Sequence, residues 1–108
     1  MEIKEINEFV EEEVKRIKEY YSNKSDEELI LAMIVKTIEE IGELFNEILA
    51  HKGFQRKTKL DKLDEKNLET ELADSLITLF IIGNRFNIDI ETALKNKMDK
   101  LKQRSYTK

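Results

Sequence analysis

Nothing in this chain breaks a helix for long. Proline is absent, and glycine occurs only at Gly42, Gly53 and Gly83 in 108 residues. These two residue types are the strongest interrupters of a helix, costing roughly 3 and 1 kcal/mol relative to alanine. Apolar residues meanwhile recur at three- and four-residue spacing along most of the sequence. The chain is therefore read as all-α, a bundle of four to five helices.

The helices can be placed from their ends. Residues 2 to about 21 put Ile3, Ile6, Phe9, Val10, Val14 and Ile17 on one side of a first helix. Ser25 followed by Glu28 is the capping-box pattern, and it opens a second helix over about 26–52 that Gly53 can close. From Phe54 to about Lys66 the sequence has no sustained period and reads as a loop with at most a turn of helix. Asn67 then caps a third helix over 68–86, ended by Asn87 in a left-handed conformation, and Asp89 caps a fourth over 90–102. Residues 1–108 contain no linker or internal repeat, so they are read as a single domain.

Composition narrows the setting. Charged residues make up 39% of the chain, well above the ~25% of an average globular protein. Partner chains are expected to cover apolar surface that so small a core cannot. The absence of cysteine removes disulfides and thiolate metal sites. The charged N-terminus has no signal-like apolar region, and LITLFII (76–82) is far shorter than the ~18 residues of a membrane span. The expected setting is cytoplasmic, with no membrane partner. The net charge of −4 divides into −8 over residues 1–51 and +4 over residues 52–108. An acidic chain is poorly suited to coating nucleic acid. A basic segment beside an acidic cluster suits a smaller polyanion held through metal ions.

Two acidic pairs ask for a chemical explanation. Glu40 and Glu43, three apart on the second helix, share a face, as do Glu71 and Asp74 on the third. The second helix alone gives no reason to invoke a site. At ~100° per residue, Leu31, Ile34, Ile38, Ile41, Phe45, Ile48 and Leu49 form one broad face, and Glu40, Glu43 and Glu47 fall nearly opposite it. That is the pattern of an ordinary solvated face, and Gly42, on the apolar side, is explained by close helix approach. The third helix differs. It is apolar almost all round from Leu76 to Ile82, so it should be buried on most sides, and Glu71 and Asp74 share a face with Ile77, Thr78, Ile81 and Ile82. Carboxylates on a buried face need partners, and Glu40 and Glu43 are available. Four converging carboxylates need cations to stay ionised, and oxygen-only ligands favour Mg²⁺, with Mn²⁺ as the alternative, over Zn²⁺. The chemistry implied is metal-assisted hydrolysis of a phosphoanhydride.

The joint pattern resembles the MazG-like, all-α nucleoside triphosphate pyrophosphohydrolases. Their signature is Glu-x-x-Glu, a spacer, then Glu-x-x-Asp. Here it reads Glu40-Ile41-Gly42-Glu43, 27 residues, then Glu71-Leu72-Ala73-Asp74. EEIGEL (39–44), ELADSL (71–76) and NIDIETALKNKMDKLKQR (87–104) resemble the family's flanking and closing segments. The resemblance, over about residues 30–104, implies a helical bundle whose core is completed by dimerisation, as a homodimer or a dimer of dimers. It implies cleavage of (d)NTP to (d)NMP and pyrophosphate, and a house-cleaning role on non-standard nucleotides fits it. Glu40, Glu43, Glu71 and Asp74 would hold Mg²⁺, with Glu39 bordering the site as a base acting through water. Lys97 and Arg104 would meet phosphate oxygens, while Leu101 stands where many relatives have Asn.

The same architecture would serve a dUTP or dCTP pyrophosphatase or a phosphoribosyl-ATP pyrophosphohydrolase. A reading from another class is a non-enzymatic helical module whose acids pair with a basic partner. On that reading Lys97 and Arg104 merely decorate a helix C-terminus, where cations are favoured. Arg85, on the face of Asp74, is expected to pair structurally with an acid.

Overall fold

The computed structural model describes residues 1–54 and 65–106, and the side chains of Glu65 and Lys66 are not among those described. The described residues form four helices and no strands: α1 (Ile3–Tyr20), α2 (Asp26–His51), α3 (Glu65–Arg85) and α4 (Ile90–Lys102). α3 packs along α2 and, less extensively, along α1, whereas α4 packs extensively on none of the three.

The helix ends follow local chemistry. Ser25 Oγ accepts from the Glu28 amide and the Glu28 carboxylate accepts from the Ser25 amide, each at 3.1 Å, which completes the capping box. The Asp89 carboxylate caps α4 by accepting from the Thr92 amide and hydroxyl. α2 ends where Gly53 (φ +77°) donates to the Ala50 carbonyl and Phe54 to Leu49. α3 ends the same way, with Asn87 (φ +56°) donating to Asn84 and Ile88 to Gly83. Both are the paired closure of helix-end carbonyls that a left-handed residue permits.

One boundary needs correction. The third helix already includes Glu65, ahead of the expected start at residue 68, so Asn67 lies inside it and is not its N-cap. Residues 55–64 of the expected loop lie outside the described residues.

The core is small. Val10, only 1% exposed, Val14 and Ile81 form its centre, with Ile6, Met33, Ile77 and Phe80 packed around them. The α1 stripe read from the sequence thus meets the buried face of α3. At the other end of these helices Arg85 pairs with Asp26 at 3.5 Å, an acid that Lys18 also approaches at 3.8 Å. Arg85 therefore has the structural role expected of it, tying α3 to the start of α2.

The orientation of α2 reverses what its own pattern suggests in isolation and agrees with the expected meeting of its acids with those of α3. Its buried residues are Thr37, Glu40, Leu44 and Ala50, whereas Ile38 and Phe45, at 66% and 57% exposed, point outward with Leu31, Ile34, Ile48 and Leu49. The acidic edge that α2 taken alone would leave to solvent turns towards α3, as the expected convergence of Glu40 and Glu43 with Glu71 requires. The buried positions of α2 and α3 include three hydroxyl side chains whose polar atoms are satisfied by their own helices. Thr37 Oγ1 donates to the Met33 carbonyl, Ser75 Oγ to Glu71 and Thr78 Oγ1 to Ser75, at 2.8–2.9 Å. α3 is likewise covered on one side only, since Leu72, Leu76 and Leu79 are about half exposed. Gly42 has nothing within 4 Å of the position a Cβ would occupy, so close approach does not explain it here. Gly83 does meet a close neighbour, because an added Cβ would lie 2.7 Å from Ile90 Cδ1. The radius of gyration is 17.3 Å, against about 13 Å for a compact domain of about 100 residues.

Truncating the best-packed side chain, Val10→Ala, is expected to cost roughly 1–3 kcal/mol through lost burial and the cavity left behind. A denaturant titration checks this as a lower midpoint at unchanged slope.

Candidate metal centre

α2 and α3 place their acidic pairs against each other along the seam. One carboxylate oxygen each from Glu40, Glu43 and Glu71 lie within 4.8 Å of one another. Glu40 is buried at 5% exposure, Glu71 is partly buried and Glu43 is exposed, so the cluster runs from the seam to the surface. Asp74, one turn along α3, is partly buried and adds to the negative field at Glu71 without joining that group of three.

The electrostatics show a site under tension. Lys36 Nζ sits 2.8 Å from Glu40 Oε1, the i,i+4 spacing on α2. The other oxygens, Glu40 Oε2 and Glu71 Oε2, are buried and have no hydrogen-bond partner among the described residues. Burial pushes the Glu71 carboxyl up to about 7, helped by a hydrogen bond to Glu43 and by the negative charges of Glu43, Glu40 and Asp74. A buried carboxylate oxygen without a partner is costly. A proton relieves that cost at one carboxyl, whereas a divalent cation would relieve it at several.

The residues present fit such an ion. Their donors are all oxygen, which suits Mg²⁺ or Mn²⁺ rather than Zn²⁺, and no His or Cys joins the group. The two unpartnered oxygens come from different helices, Glu40 on α2 and Glu71 on α3.

The remaining candidate site residues singled out in the sequence are exposed. Glu39 lies on the exposed side of α2 beside Glu40, and Lys97 on α4 and Arg104 just beyond it are exposed. Sequence reasoning passed over Lys36. The signal was present in its spacing, since a lysine four residues before a buried acid on the same helix is within reach of it.

The sequence profile of the MazG nucleotide pyrophosphohydrolase domain matches residues 27–107, a span that contains both acidic pairs and the basic closing segment. With its all-α fold and facing Glu-x-x-Glu and Glu-x-x-Asp pairs, the chain belongs to this family. No curated protein and no solved structure matches it. The family supports nucleotide pyrophosphohydrolysis in general terms and the use of a divalent metal.

Between the ordinary value of 4.5 and about 7, the folded chain holds a proton on Glu71 that the unfolded chain has released. Without metal, stability should therefore fall as pH rises through that window. Melting curves in EDTA at pH 5 and pH 7.5 check this, with Glu71→Gln flattening the difference and millimolar Mn²⁺ restoring stability at the higher pH.

Proposed function

We propose that the chain is a nucleoside triphosphate pyrophosphohydrolase, cleaving (d)NTP between the α and β phosphates to give (d)NMP and pyrophosphate. The observation that carries this is the meeting of Glu40, Glu43 and Glu71 with one carboxylate oxygen each within 4.8 Å of one another, together with a buried, unpartnered oxygen on both Glu40 and Glu71. Glu40, Glu43, Glu71 and Asp74 would hold Mg²⁺, or Mn²⁺ in its place. When bound, such ions polarise the phosphoanhydride and make an attacking water more acidic.

The chain's own residues divide the remaining work. Glu40 and Glu71 anchor the site in the seam, and Glu43 opens it towards the surface. Glu39, exposed beside Glu40, accepts a proton through water. Lys97 meets phosphate oxygens as a point charge and Arg104 as a planar fork.

Residues 1–108 act as one domain, and a second copy of the chain completes it. Leu31, Ile34, Ile38, Phe45 and Ile48 on α2 and Leu72, Leu76 and Leu79 on α3 are too exposed for an isolated chain of this size. Burying each such side chain fully is worth roughly 1.5–3 kcal/mol before the cost of association. A homodimer, or a dimer of dimers, covers these faces. The same logic accommodates α4, whose side chains are almost all exposed.

No described helix is long and apolar enough to cross a membrane. We place the protein in the cytoplasm, acting on free nucleotides, with a house-cleaning role on non-standard ones. A dUTP or dCTP pyrophosphatase, or a phosphoribosyl-ATP pyrophosphohydrolase, would use the same carboxylates. The competing reading is a helical interaction module, favoured by the extent of exposed apolar surface.

Two experiments separate these readings. A panel of canonical, deoxy and oxidised nucleotides, assayed for pyrophosphate and for phosphate, should give pyrophosphate alone. Glu40→Gln and Asp74→Asn should each lower turnover by at least about a hundredfold, with helical circular dichroism unchanged. Activity that survived both changes would sink the site assignment, and no turnover with any nucleotide would favour the module. For the assembly, Ile38→Glu should shift light-scattering mass towards the monomer, whereas unchanged mass would remove this face from the interface.

A further inference from the structure

Lys36 belongs to two places at once. Its ammonium touches Glu40 at 2.8 Å, while its side chain lines a cavity of about 550 Å³ between the end of α1 and the start of α2. Ile17, Tyr21, Leu29 and Met33 give that cavity largely apolar walls, and Lys24 and Glu28 stand with Lys36 as its polar residues. Glu28 already uses one oxygen in the capping box. Among the described residues, no other lysine or arginine pairs with Glu40, Glu43 or Glu71.

The pairing is conditional on what else Glu40 holds. Glu40 is buried and fixed in the seam, whereas the Lys36 side chain is 55% exposed on a flexible four-carbon stem. Mg²⁺ binds oxygen at about 2.0–2.1 Å. A carboxylate with a dication at that distance is a poor partner for an ammonium, because the two positive charges repel. The mobile group then moves, and the cavity it already lines lies open beside it.

We propose that Lys36 is a phosphate-positioning residue: it rests on Glu40 in the metal-free chain and swings onto a phosphate oxygen of the substrate once Glu40 is engaged by a divalent cation. The inference rests on the cation site proposed above and adds a contact to it. Lys36 keeps Glu40 from standing unpaired before substrate arrives. Once released, it supplies positive charge on the cavity side of the cluster.

The test uses two binding measurements that need no turnover. Mn²⁺ affinity is read from the free-ion paramagnetic resonance signal. Affinity for inorganic triphosphate at saturating Mn²⁺ is read by calorimetry. In Lys36→Met, Mn²⁺ should bind about threefold to tenfold more tightly, because the competing ammonium is gone, and triphosphate about tenfold more weakly. Lys36→Arg should bring triphosphate affinity back to within about threefold. Tighter Mn²⁺ binding with unchanged triphosphate affinity would mean a purely structural ion pair and overturn the proposal, as would unchanged Mn²⁺ affinity. Circular dichroism checks the fold of each variant, and Lys36→Gln replaces Lys36→Met if the latter fails to fold. Absence of Mn²⁺ binding in the unsubstituted chain would overturn this inference together with the cation site. Normal Mn²⁺ binding and pyrophosphate release, with Lys36→Met indistinguishable from the unsubstituted chain, would overturn this inference alone.

Discussion

The burial of Glu40 governs the rest of the molecule. A glutamate at 5% exposure in the seam between α2 and α3 commits α2 to turning its polar edge inward. Thr37, Ser75 and Thr78 can be buried as well because their hydroxyls bond to their own backbones. The broad apolar face of α2 then has nowhere to go but outward. The chain gives one acid a place that a hydrophobic side chain would ordinarily take, and leaves much of the apolar surface of α2 outside.

That inversion explains what could be read from the residues and what could not. Ser25 with Glu28, Asp89, Gly53 and Asn87 behave as their local chemistry dictates, because each depends on hydrogen bonds within a few residues. The pairing of Glu40 and Glu43 with Glu71 was legible because α3 carries its acids on a face that becomes apolar two turns later. The facing of α2 was not legible from α2 by itself and followed only from the acids of α3. A helical wheel divides a helix into two sides but does not say which one its neighbour takes, and the larger apolar side goes inward only if the chain must satisfy itself alone. Lys36 escaped notice for the same reason, since a lysine opposite an apparent core face looks like ordinary decoration.

The site draws its chemistry from discomfort. Two buried oxygens without partners, and a carboxyl pushed up to about 7, describe a cluster that the fold stabilises poorly when no cation is present. Membership of the MazG family gives this arrangement a purpose, and the same acids that weaken the metal-free seam are the ones that fit a divalent ion. Binding of a divalent ion there would couple stability to ligand through one small set of carboxylates.

Gly83 carries a consequence well beyond its own position. With no Cβ there, Ile90 can lie against the end of α3, while the left-handed Asn87 and the bond from Ile88 to the Gly83 carbonyl fix the corner between them. α4 leaves that corner on a set bearing. At 1.5 Å per residue, Lys97 is carried about 10 Å from the corner, so a small change of angle at residue 83 would be magnified along the helix. A single absent methyl group thus aims the basic end of the chain.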